Sequence, residues 1–464
     1  MLPSAQPALE HLHDRALRER LYRASIARGR RGGPHDNRAV VWEITALRAE
    51  RAGLLGFASH AQFELADQTA GSVAVVLDML TSVGSAAARK ARAETQRHTT
   101  ALRADGHDGP LEPWDWPYYA ARERRARHAV DEARLQELFV LQRVIGDGMF
   151  ALAADLYGLT FSARDDLPRP HPDVLVFDVA DADGSDRGLL YLDLFARDGK
   201  GGGAWMNYFQ EPAPLIGRLA HASIVLNATR PADGAPALLT PLEVRILFHE
   251  FGHALHMLLS DVAFPRVAGI NVPNDIIEFP SKLHEALAMA PGVLARYARH
   301  FETDEPPSAA EVAALTAFVH ESAPYISTQG AASSLLDQAW HGLAPGDAIA
   351  PDAVDAFEES VLDEHGLALH AVGMHYRSTF FIHLFESNYA DTHSPYMWSA
   401  MLEAALLGWL DDKGGLTRAS GMRLRDDLLS RGAVVDPLAA LRAITGREAT
   451  VDQLLARRGL SLTA

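Results

Sequence analysis

The chain has 464 residues, 48% hydrophobic and 22% charged, the make-up of a folded globular protein with a core sufficient for one large or two medium domains. Its net charge of −17 argues against nucleic acid as a partner, because phosphate binding needs a basic surface. The absence of cysteine excludes disulfides, thiolate metal sites and cysteine nucleophiles.

The first residues lack a basic region followed by an apolar stretch, so no secretory signal is expected and the expected location is cytoplasmic. No apolar run reaches roughly eighteen residues, so no membrane span is expected either. Residues from 8 to 160 read as helices, with apolar positions at three- and four-residue spacing and glycine-rich breaks at 29–34 and 105–110. A basic run from Arg18 to Arg31 also carries Glu19 and reads as a solvated helix face. The pattern changes near Pro168, Pro170 and Pro172. Two β-favouring runs follow at 174–179 and 189–195, separated by a turn from Asp181 to Ser185, and 221–228 is a third candidate strand. From residue 240 helices return, with loops at 260–274, 303–308, 343–352 and 386–395. The expected fold is mainly α, with one small β-sheet beside the helix that starts near 240.

That helix carries the chemistry. Thr240-Pro241-Leu242-Glu243 is a capping box with proline at the first helical position. Residues 249–253 read His-Glu-Phe-Gly-His, and helical spacing puts His249 and His253 on one face, able to bind one metal ion. Glu250 is rotated by about a quarter-turn and reaches a water on that metal without ligating it. Two histidines, a carboxylate such as Glu278 and an open position make a hydrolytic zinc site. The bland alternative is a core helix whose histidines satisfy each other or the backbone. The stretch Gly199-Lys200-Gly201-Gly202-Gly203-Ala204 allows close backbone approach of a ligand, or is a plain surface turn.

Several segments together resemble the thimet oligopeptidase family of zinc metallopeptidases, and within it the bacterial peptidyl-dipeptidases. They are Pro113-Trp114-Asp115-Trp116-Pro117-Tyr118-Tyr119, Phe195-Ala196-Arg197-Asp198 running into Gly202-Gly203-Ala204-Trp205-Met206, and Phe248 to His256. Asp275 to Ser281, Tyr376-Arg377-Ser378 and Gly414 to Arg418 complete the set. The resemblance implies a bilobed helical fold with a channel for short peptides, residues 1–165 forming part of its wall and 166–464 the zinc catalytic region. It implies one zinc ion on His249, His253 and Glu278, with Glu250 as general base. Asp275 and Glu285 then either orient the ligating histidines or are solvated carboxylates. Gly202, Gly203, Ala204 and Arg377 are the implied substrate contacts, and His383, Tyr389, His393 and Tyr396 the implied transition-state donors.

Three departures stand out. The chain matches only part of the usual family length, so part of the channel wall is expected to be absent, or completed by a second copy or a partner chain. In the donor segment a glycine pair becomes Ser387-Asn388, a tyrosine becomes His393 and its neighbour becomes Ser394. Lys282 stands where glutamine is usual, one turn from a zinc ligand. The leading expectation is zinc-dependent hydrolysis of short peptides with release of C-terminal dipeptides. The alternatives are a dedicated amide hydrolase acting on one modified or pathway-specific peptide, and a weakly active metal-binding partner subunit.

Overall fold

The structure is a computed structural model that describes residues 6–128, 130, 132–385 and 393–461. It is mainly helical, with one five-stranded sheet. Among the described residues no helix is long and apolar enough to cross a membrane. Contacts divide the chain into two compact units, each assembled from separate stretches. One gathers residues 128–317 with 402–450; the other gathers 2–127, 318–401 and 451–464.

The first unit contains the sheet: β1 (Thr160–Ala163), β2 (Leu175–Ala180), β3 (Asp186–Phe195), β4 (Trp205–Gln210) and β5 (Ala220–Ala228), in the order β1-β2-β3-β5-β4. The three expected strands form β2, β3 and β5, while β1 and β4 were not expected and occupy the two edges. β3 and β5 run parallel, with Tyr191 opposite Ser223, and the remaining neighbours are antiparallel. The two central strands are buried along most of their length and carry apolar runs at 189–192 and 224–226, as strands buried on both faces do. Gly188 permits their close approach, since a Cβ there would lie 1.9 Å from the Ala220 carbonyl oxygen.

The Pro241–Leu258 helix packs on β5, β4 and β3, so the unexpected edge strand touches it directly. Its start follows the capping logic. The Glu243 backbone N–H donates to Thr240 Oγ1 at 3.2 Å, and the Thr240 N–H donates to Glu243 Oε2 at 2.8 Å.

In the second unit the Val73–Ala104 helix packs on the Ala323–His341 helix. Asp115, fully buried, accepts from Arg15 Nη2 at 2.7 Å and from Arg18 Nη2 at 2.9 Å. Arg18 is therefore a core residue, which corrects the reading of the basic run as a wholly solvated face. A buried carboxylate needs its charge balanced, and Arg15 and Arg18 supply that balance. Beside it Trp116 stacks on Tyr325 at 5.3 Å, so this aromatic motif serves the core of the second unit.

Candidate metal centre

One helical turn separates His249 from His253, and their rings lie 5.0 Å apart. The Asn274–Ala288 helix crosses the Pro241–Leu258 helix at Gly252. A Cβ at Gly252 would meet the Pro280 carbonyl oxygen at 2.4 Å and Ser281 Cα at 2.6 Å, so only glycine allows this crossing. The close approach delivers Glu278: its Oε2 lies 3.1 Å from His249 Nε2 and 3.5 Å from His253 Nε2. Donors around a tetrahedral zinc sit about 3.3 Å from one another, so the trio fits the ion's dimensions as well as its ligand chemistry. Among the described residues it is the one group whose metal-binding atoms all lie within 4.8 Å.

The electrostatics agree. Burial opposes the Glu278 charge, yet the His253 and His249 rings hold its carboxyl well below the usual range. Burial likewise opposes a charged His249, but the hydrogen bond to Glu278 pushes that ring up to about 9. A carboxylate that draws a proton onto a buried imidazole is equally suited to a divalent cation.

The surrounding shell fixes the trio. Ser281 Oγ lies 2.9 Å from Glu278 Oε2. Glu285 Oε2 lies 3.3 Å from His249 Nδ1 and accepts from Lys282 Nζ at 2.8 Å, while its Oε1 pairs with Arg245. Lys282 thus pairs with Glu285, although its charge still opposes a charged His249 ring. Burial works against the Glu285 charge, and Lys282 is the foremost group holding its carboxyl well below the usual range. Asp275 is buried in the first turn of the same helix. Sequence reasoning passed over Arg245 and Ser281. Their signal was helical spacing, Arg245 standing one turn before His249 and Ser281 one turn after Glu278.

Glu250 is buried, and burial raises its carboxyl above the usual range against the opposing charges of His249 and His253. The Met206 backbone N–H, from β4, hydrogen-bonds its ionised form. Gly202, Gly203 and Ala204 lead into that strand. Asn227 Nδ2 donates to the carbonyls of Gly201 at 2.8 Å and Gly203 at 2.7 Å, and Lys200 Nζ donates to the Phe195 carbonyl at 2.8 Å. The glycine stretch is therefore tied to β3 and β5.

In the second unit His383, His393 and Tyr396 come together, with ring separations of 6.0, 5.4 and 6.2 Å. Tyr389 lies outside the described residues. His393 Nδ1 meets Ser334 Oγ at 2.9 Å. Burial, followed by the His383 and His375 charges, lowers this ring to about 3, so it is neutral at physiological pH. Arg377 pairs with the buried Glu358, Nε to Oε2 at 2.5 Å, and Glu358 Oε1 accepts the Ser378 backbone N–H.

Comparison with known proteins decides the family. The profile of Peptidase family M3 matches residues 8–460. The chain belongs to that family. The dipeptidyl carboxypeptidase of Salmonella typhimurium is 38% identical over 98% of this chain and 67% of its own length. That of Escherichia coli is 37% identical, also over 98% of this chain and 67% of its own length. Oligopeptidase A of Escherichia coli is 33% identical over 99% of this chain and 68% of its own. Among solved structures, the M32 carboxypeptidase from Deinococcus radiodurans R1 superposes with a TM-score of 0.51 at 14% identity, covering 99% of this chain and 77% of that one, a likeness of fold alone. This M3 protein is a metallopeptidase, and its reaction class is peptide-bond hydrolysis.

Proposed function

We propose that this M3 peptidase cleaves short peptides with one zinc ion held by His249, His253 and Glu278, and that it releases dipeptides from the C-terminus. The observation that carries the metal assignment is the crossing at Gly252, which gathers two imidazole nitrogens and a carboxylate oxygen at zinc-ligand spacing. Zinc, when bound, supplies a Lewis acid that polarises the scissile carbonyl and acidifies water. Glu250 takes the proton of the attacking water and delivers it to the leaving amine. Burial raises its pKa, the direction that favours holding the proton between the two transfers. Glu285 holds the His249 ring and Ser281 holds Glu278, keeping the ligands oriented. The 202–204 stretch and β4 offer main-chain groups to an extended peptide. The family resemblance assigns the donors for the oxygen that gains charge to His383, Tyr389, His393 and Tyr396, and the rings of His383, His393 and Tyr396 stand together in the second unit. Release of dipeptides rests on the likeness to two dipeptidyl carboxypeptidases.

The test is to incubate the zinc-loaded protein with a peptide mixture and weigh the products. Products shortened by two residues at the C-terminus are expected, and Glu250→Gln should lose several orders of magnitude in rate. Fragments from internal positions would overturn the dipeptidase assignment. Generic peptides left untouched would favour a dedicated amide hydrolase, the reading that His393 in place of a tyrosine supports.

A further inference from the structure

One buried polar chain in the second unit is not used by the chemistry described so far. Arg48 Nη1 lies 2.7 Å from the Leu384 carbonyl oxygen and 3.0 Å from His341 Nε2. His341 Nδ1 lies 2.7 Å from Asp337 Oδ1, and Asp337 Oδ2 accepts the His393 backbone N–H at 2.8 Å. Arginine only donates, so His341 Nε2 must accept and His341 Nδ1 must carry the hydrogen it gives to Asp337. The result is an unbroken line from guanidinium through imidazole and carboxylate to one backbone amide, each bond polarising the next.

The two ends of this line are informative. Leu384 follows His383, and His393 is itself a proposed donor, so the chain grips the backbone on both sides of the donor group. Asp337 and His341 are fully buried on one face of the Ala323–His341 helix. A buried carboxylate is costly, and here one oxygen takes the His393 amide while the other takes the His341 imidazole that leads to Arg48 and Leu384. Residues of two other helices thus hold the Leu384 carbonyl and the His393 amide, beside two rings that lie 6.0 Å apart.

We propose that Arg48, His341 and Asp337 act as one clamp that fixes the spacing of His383 and His393, and are positioning residues for peptide hydrolysis. The proposal rests on the reading that His383, His393 and Tyr396 donate to the substrate. The clamp touches no substrate. It acts by holding the donors at a fixed distance from one another, and donors misplaced by about 1 Å lose their effect on rate.

The test uses the full-length zinc-loaded protein and a peptide that the wild type cleaves. Asp337→Asn and Arg48→Met loosen opposite ends of the clamp. Each should lower kcat about tenfold or more, with KM held within about threefold and zinc content at the wild-type value, measured well below thermal midpoints that the lost buried bonds will lower. The double variant should fall no further than the worse single, because either change breaks the same device. Tyr396→Phe and His383→Ala serve as controls. Unchanged kcat in both clamp variants, with kcat lost in the controls, would overturn the clamp alone. A kcat that returns to the wild-type value once zinc content and folded fraction are matched would reduce it to ordinary packing and overturn it too. Full kcat in both controls would overturn the donor reading on which the clamp depends.

Discussion

Replacing Gly252 by alanine drives a methyl group into the backbone of the helix that carries Glu278. The added carbon would sit 2.4 Å from the Pro280 oxygen and 2.6 Å from Ser281 Cα, where ordinary contact begins at 3.4 Å. The obstacles are backbone atoms, so no side chain can swing aside and the two helices must part by about 1 Å. Overpacking of this kind costs about 1–3 kcal/mol. The effect on the metal is larger, because ligand distances tolerate only about 0.2 Å. Moving Glu278 away by several times that margin takes it out of reach of an ion held by the two histidines. We expect Gly252→Ala to bind zinc at least 100-fold more weakly, about 2.7 kcal/mol, although every ligand is retained. Titration against a chromophoric chelator measures the affinity, and urea unfolding of the metal-free protein measures the stability. Zinc affinity within about threefold of wild type would refute the argument that this crossing builds the site.

Ser281→Ala removes the hydroxyl that holds Glu278 Oε2 and should weaken zinc binding by about tenfold or more in the same chelator titration. Chelation should abolish peptide cleavage and added zinc should restore it, followed by product formation before and after back-titration. Asp181 is buried against Arg425, with Oδ2 2.8 Å from Nη2, and Asp181→Ala leaves that arginine with the exposed Asp426, Nε to Oδ1 at 3.9 Å, as its remaining ion pair among the described residues; urea unfolding should show a loss of about 3 kcal/mol. Burial opposes the Asp181 charge, but Arg425 and Arg187 outweigh it and hold the carboxyl below its ordinary value. A depressed folded pKa means the stabilisation is complete above about pH 4 and is lost as pH falls through the folded value. The gap between wild type and Asp181→Ala should therefore close only in acid, as read from unfolding midpoints across pH.

The metal helix was legible because its signals are local. The capping box, the proline at its start and the His-Glu-Phe-Gly-His spacing all lie within one helix. Strands β2, β3 and β5 were legible from their apolar runs. β4 was not, since an edge strand following glycines mixes Trp205, Asn207 and Gln210 and shows no apolar run. Arg18 looked solvated because its partner, Asp115, is remote in sequence. Whether Asp275 or Glu285 would reach a ligand depended on how two helices cross, and the structure brings Glu285 to His249. The lowered pKa of His393 was not legible for a similar reason, since its first cause is burial, a property of the folded chain.

The interleaving of the two units bears on how the protein is made. Residues 128–317 emerge from the ribosome long before 402–450, the stretch that completes their unit. The whole of 318–401, which belongs to the other unit, is synthesised in between. At about 5–20 residues per second the half-built first unit waits for several seconds or more with apolar surface uncovered. No single cut in the gene therefore yields either unit by itself.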